Sequence, residues 1–116
     1  MAKYFIIAGE VSGDAHASAL MREIEERDRD ASFSGMGGDQ MEKAGCRLYQ
    51  HIRHMAFMGF AAVIKHWHDV QTNFRIARQA IRTEQPDVLI LIDYPSFNLR
   101  MAKFCRRHLP QTKIYY

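Results

Sequence analysis

Residues 86–98 read PDVLILIDYPSFN, and the way this stretch folds decides how the remainder of the chain can be arranged. Five consecutive apolar residues, Val88 to Ile92, stand between Pro86 and Pro95. That length and β-branched composition predict a strand buried on both faces rather than a helix. A strand of this kind belongs in the middle of a parallel sheet, with helices covering both faces. Asp93 follows it directly, at the carboxyl end, where open α/β sheets place ligands and catalytic groups. Asp93 is therefore the first candidate functional residue.

Working outward, Tyr4 to Ala8 forms a second short apolar run ending at Gly9, which predicts the first parallel strand. After it comes GEVSGDAHASALMREIEER, where Ala17, Leu20, Met21 and Ile24 recur at helical spacing and predict a buried stripe. Gly9 and Gly13 then fall between a strand and a helix start, where free backbone N–H groups can receive an anion or a polar sugar group. GEVSGD lacks the third glycine of a dinucleotide fingerprint and is not a Walker loop. Ser12 and Asp14 read either as site residues or as caps of the helix. Glu10 has no evident structural task in the turn.

Residues 31–37 predict a second strand, with a short helix through Met41 to Ala44 closed by Gly45. CRLYQHI predicts a third strand with Cys46, Leu48 and Tyr49 turned inward. His51 and His54 stand three apart without a further ligand nearby, which favours surface or loop histidines over a zinc pair. The interval from Met55 to Val70 holds Phe57, Phe60, Val63, Ile64 and Trp67, more large apolar groups than one sheet face readily buries. Two readings stay open for it: a contact surface for lipid or another subunit, or a lid over the core. Val63, Trp67, Val70, Phe74, Ala77 and Ile81 continue as a stripe packed on the sheet, in a helix ending near Thr83. Beyond Asp93, Ser96 or Asn98 is expected to cap a helix to about His108, with Met101, Phe104, Cys105 and Leu109 buried. TKIYY begins a further strand.

Composition narrows the classes. The chain has 116 residues, 47 % of them hydrophobic, which suits one α/β domain with a real core. No run approaches the roughly 20 apolar residues of a spanning helix, and the N-terminal run is too short for a signal peptide, so a cytoplasmic protein is expected. Cys46 and Cys105 are widely separated and read as reduced structural thiols. The formal charge is +3. Residues 99–113 carry Arg100, Lys103, Arg106, Arg107 and Lys113 with no acid, a bias suited either to an anionic surface or to a solvated helix face. No metal, cofactor or nucleic acid is expected.

Four separated motifs, AGEVSGD at 8–14, GMGGDQMEKAGC at 35–46, MGF at 58–60 and PDVLILIDYPSFN, resemble the N-terminal part of the lipid-A-disaccharide synthase family. The resemblance runs in order along essentially the whole chain. It implies the Rossmann-like, acceptor-side half of a two-domain GT-B glycosyltransferase. Such enzymes transfer diacylglucosamine from UDP-2,3-diacylglucosamine to 2,3-diacylglucosamine 1-phosphate with inversion, at the cytoplasmic face of the inner membrane of Gram-negative bacteria. By resemblance Asp93 is the general base, and Glu10, Ser12, Gly13, Asp14 and Asn98 shape the acceptor site. Phe60, Val63, Ile64 and Trp67 correspond to the membrane and acyl-chain contact. Ser96 stands where many members have a second acid. The UDP-sugar domain is absent from residues 1–116, and this part alone is expected to be inactive. Other readings of the residues are a small nucleotide-binding, flavodoxin-like module and a non-catalytic partner-binding protein, including one that binds a second copy of itself.

Overall fold

The structure, a computed structural model, describes residues 2–54 and 67–116. The predicted interior of the chain is found as drawn from its apolar runs. Strands β1 (Lys3–Ala8), β2 (Ser32–Gly37), β3 (Arg47–His51), β4 (Val88–Ile92) and β5 (Lys113–Tyr115) form one parallel sheet in the order β3-β2-β1-β4-β5. Helices α1 (Val11–Arg27), α2 (Asp39–Lys43), α3 (Trp67–Glu84) and α4 (Pro95–His108) provide the connections. The chain is thus an open parallel α/β sheet with helices on both faces, the Rossmann-like architecture that the alternation of elements predicts.

Side-chain alternation along the central strands builds two cores. Phe5 and Ile7 of β1, with Leu89 and Leu91 of β4, pack against Phe74, Ala77 and Ile81 of α3 and Phe97, Met101 and Cys105 of α4. Ile6 and Ala8, with Ile90, face Ala17 and Met21 of α1 and Met41 of α2. Both central strands are therefore apolar at consecutive positions because each face needs every second residue.

Several local expectations differ. Leu20 is 37 % exposed, because α1 buries its narrower Gly13, Ala17 and Met21 line against the sheet. Trp67 is 51 % exposed, whereas Phe74, Ala77 and Ile81 of the same stripe are buried. The stripe departs from the sheet at its N-terminal end, and Val63 lies outside the described residues. Neither Ser12 nor Asp14 caps α1: the N-cap is Glu10, with no side-chain cap bond.

Asp14 does different work. Its buried carboxylate accepts the Gly38 N–H at 2.8 Å and the Met41 N–H at 3.0 Å on Oδ1, and the Gln40 N–H at 3.0 Å on Oδ2. It thereby satisfies the free N–H groups at the start of α2 from another helix. The fit requires glycine opposite, since a Cβ on Gly38 would lie 2.7 Å from Asp14 Oδ2. Close by, Cys46 is buried, and its thiol is pushed up from 9.0 to about 12, first by burial and then by the charges of Asp14 and Glu42.

Two outcomes follow from this corner. Asp14→Ala leaves three backbone donors without their acceptor and should destabilise the protein by about 3 kcal/mol in urea unfolding. Cys46, whose folded value lies above its unfolded one, contributes stability that is present below pH 9.0 and lost as pH rises towards about 12. Wild type should therefore lose roughly 1 kcal/mol per pH unit more than Cys46→Ala across that window, measured by urea unfolding at each pH.

Candidate functional site

The order of the strands fixes where a crevice can open. From β1 the chain crosses to β2 on one side, and from β4 it crosses to β5 on the other. The two connections run over opposite faces, α1 on one and α4 on the other, so they diverge at the carboxyl ends of β1 and β4. The register pairs Ala8 with Ile92, which sets Gly9 abreast of Asp93 and the Glu10 turn beside the Tyr94 turn.

The β4–α4 turn has an uncommon backbone. Asp93 and Tyr94 both take left-handed conformations, with φ of 45° and 81°. For residues with a Cβ each such conformation costs about 1–2 kcal/mol. Pro95 then opens α4, its fixed φ suiting the first helical position. The turn lays the Tyr94 ring on Gly9: a Cβ there would sit 2.4 Å from the ring Cγ. Tyr94 stacks on Phe97 at 5.0 Å between centroids, and Phe97 stacks on Phe74 at 4.4 Å. The guanidinium of Arg100 covers the Phe74 ring at 5.0 Å. Burial pushes the Tyr94 hydroxyl up, so it stays protonated at neutral pH.

Tyr94 is a wall shared by two cavities, both lined mostly by apolar surface. On one side is a cleft of about 740 Å³ whose lining includes Glu10, Ser12, Asp14, His51, Arg53 and Tyr94. On the other is an apolar pocket of about 400 Å³ bounded by Trp67, Val70, Phe74, Tyr94, Phe97 and Arg100. Asp93 is exposed beside the shared wall and is not part of either lining. Glu10 and Ser12 are exposed on the cleft, and the first N–H groups of α1 have no side-chain cap. Gly13 is buried inside the first turn of α1, where a Cβ would come within 3.4 Å of Ala8 and Ile92, so it sets how closely α1 approaches the strands. Asp14 touches the cleft but spends its oxygens on α2.

Asn98 is not a cap of the expected kind. Tyr94 is the N-cap of α4, and Asn98 sits one turn inside, fully buried, with Nδ2 donating to the Asp93 carbonyl at 2.5 Å. Ser96 is exposed in the first turn. Phe60, Val63 and Ile64 lie outside the described residues.

The far wall holds His51, Asp39 and Arg53. His51 Nδ1 accepts the Arg53 N–H at 3.2 Å, so Nε2 carries the ring hydrogen and donates to Asp39 Oδ1 at 2.8 Å. The hydrogen bond from His51 is the main cause that holds the Asp39 carboxyl below its usual range, with electrostatic help from Arg53 and Lys43. His51, expected in a surface or loop position, ends β3, and its side chain is only 18 % exposed and joins β3 to α2. Among the described residues, no group of three or more His, Cys, Asp and Glu side chains is placed to hold a metal ion.

A family model described as lipid-A-disaccharide synthetase matches residues 4–116. The lipid-A-disaccharide synthase of Geobacter sulfurreducens is 42 % identical over 106 residues, covering 91 % of this chain and 28 % of that protein. Lipid-A-disaccharide synthase 1 of Legionella pneumophila (strain Lens) is 38 % identical over 111 residues, covering 96 % of this chain and 29 % of that protein. The lipid-A-disaccharide synthase of Nitrosococcus oceani is 39 % identical over 98 residues, covering 84 % of this chain and 25 % of that protein. The chain spans between a quarter and a third of the length of these relatives.

The close approach at the shared wall gives a direct expectation. Gly9→Ala forces the Tyr94 ring off β1 and should cost about 1–3 kcal/mol in urea unfolding, with a change in near-ultraviolet circular dichroism from the tyrosine.

Proposed function

The chain belongs to the lipid-A-disaccharide synthetase family, and on that premise we propose that it is the acceptor-side half of a membrane-associated inverting glycosyltransferase. The observation that carries this reading is the meeting of the Gly9–Glu10 and Asp93–Tyr94 turns at the carboxyl ends of β1 and β4. In the proposed reaction the primary hydroxyl oxygen of 2,3-diacylglucosamine 1-phosphate attacks the anomeric carbon of UDP-2,3-diacylglucosamine. The bond from that carbon to the UDP oxygen breaks with its electron pair, and Asp93 takes the hydroxyl proton. No cofactor enters the scheme.

Glu10, Ser12 and the uncapped N–H groups of α1 supply hydrogen-bonding partners for the polar face of the acceptor sugar. Gly13, Asp14 and Asn98 shape the site from behind, through helix approach, the α2 turn and the Asp93 backbone. The donor needs further groups to place the UDP-sugar and stabilise its departing pyrophosphate. We assign these to a second domain outside residues 1–116, and residues 1–116 by themselves are then inactive.

The protein is further proposed to sit peripherally on the cytoplasmic face of the inner membrane. No described helix is long and apolar enough to cross a membrane. Exposed Arg75, Arg78 and Arg82 on α3 and Arg100, Lys103, Arg106 and Arg107 on α4 share one side of the sheet. Among the described residues, neither the Arg47–Glu84 ion pair nor the His51–Asp39 contact uses any of these seven cations. Such a face suits an anionic lipid surface. Exposed Trp67, with Phe60, Val63 and Ile64 preceding it, is assigned to the acyl chains.

Two measurements test the proposal. In a full-length protein containing residues 1–116, Asp93→Ala should lower UDP release from the two acylated sugars by about 10²-fold or more. Unchanged turnover would remove Asp93 as the base. Trp67→Asp should weaken co-sedimentation with anionic vesicles by about tenfold with folding intact. Unaltered sedimentation would return Trp67 to packing, or to contact with a second copy, which a change in oligomeric state would then report.

A further inference from the structure

We propose that Asn98 is a positioning residue that locks the Asp93–Tyr94 peptide, and so aims the Asp93 carboxylate, without touching substrate itself. The inference rests on the assignment of Asp93 as the base.

Asn98 is fully buried, yet only half of its carboxamide is used. Nδ2 donates to the Asp93 carbonyl at 2.5 Å, while Oδ1 is buried without a hydrogen-bond partner among the described residues. A buried acceptor left unpaired is a cost to folding. Its neighbours on α4, Phe97, Met101 and Ala102, are buried apolar residues, and an apolar side chain of the same size would fill the place without that cost. Stability therefore does not account for an asparagine here. The ordinary task of asparagine near a helix start is also taken: Asn98 stands inside α4, and its own N–H already makes the helical bond to the Tyr94 carbonyl at 3.0 Å.

What remains is the bond to Asp93. The carbonyl it holds belongs to the peptide joining two consecutive left-handed residues, at φ 45° and 81°. Orientation of that peptide is set by ψ of Asp93 and φ of Tyr94. A donor fixed on a rigid helix holds both angles in a conformation that the residues themselves resist. If the bond is lost, the turn can relax, the Asp93 Cα–Cβ bond swings, and Tyr94 loses its seat on Gly9. A displacement of about 1 Å at a base is enough to cost on the order of 10²-fold in rate.

The test is a double-mutant cycle in the full-length enzyme, reading UDP release at saturating donor with acceptor varied. Asn98→Leu should lower kcat by about 10–100-fold and change the acceptor KM by less than about threefold, because the acceptor contacts stay in place. Its urea midpoint should stay close to that of wild type, and amide exchange at Tyr94, Ser96 and Phe97 should be faster. In an Asp93→Ala background, Asn98→Leu should add nothing, since the residue acts only through the base. Asn98→Ala, which removes the donor without adding bulk, provides the same comparison if the leucine variant folds poorly.

A kcat within twofold of wild type in folded Asn98→Leu or Asn98→Ala overturns the inference, with the Asp93 assignment left standing if Asp93→Ala is inactive. Losses that multiply in the double variant overturn it as well, because Asn98 would then act on substrate directly. Full activity in Asp93→Ala instead removes the base assignment, and with it the positioning role.

Discussion

Parallel pairing of β1 with β4, in a register that sets Ala8 beside Ile92, is the constraint on which the rest of the molecule depends. Parallel strands need crossovers, and right-handed crossovers leaving in opposite directions must run over opposite faces. The two loops that begin them cannot close over each other. A crevice therefore opens at this point of the sheet and at no other junction of the five strands. Both faces must also be covered, which makes β1 and β4 apolar at successive positions and divides the core into two clusters.

At the mouth of the crevice, local backbone cost is exchanged for placement. Tyr94 occupies a left-handed conformation, Gly9 gives up its side chain to receive the ring, and Asn98 buries an oxygen unpaired among the described residues. None of these is favourable by itself. Together they hold Asp93 exposed beside a wall shared by two cavities.

The parts of the fold that depend on hydrophobic period were legible in the chain. Val88 to Ile92 emerged as β4 to the residue, because a short apolar run between prolines leaves few other structures. The Gly9 turn and the carboxyl-end placement of Asp93 were legible for the same reason. What escaped was tertiary. Asp14 looked like a cap of its own helix but caps α2, a contact made across 24 residues to Gly38 that no local pattern encodes. Leu20 matched the helical stripe yet faces solvent, since the stripe says which residues share a side and not how wide the contact is. Tyr94 gave no signal, because composition does not announce a positive φ in tyrosine. Asn98 was named by resemblance, and its bond to the Asp93 carbonyl became visible only with the turn folded.

Charge follows the same division of faces. Acids such as Glu23, Glu25 and Glu26 gather on the α1 side, and arginines on the α3 and α4 side, so the crevice lies between oppositely charged halves. The central claim is that this crevice receives the acceptor with its primary hydroxyl at Asp93. It is tested most directly by a structure of the full-length protein with 2,3-diacylglucosamine 1-phosphate bound. The account predicts the primary hydroxyl oxygen about 3 Å from an Asp93 carboxylate oxygen, with the sugar against Glu10 and Tyr94. An acceptor bound elsewhere, or bound here with that hydroxyl turned away from Asp93, would contradict it.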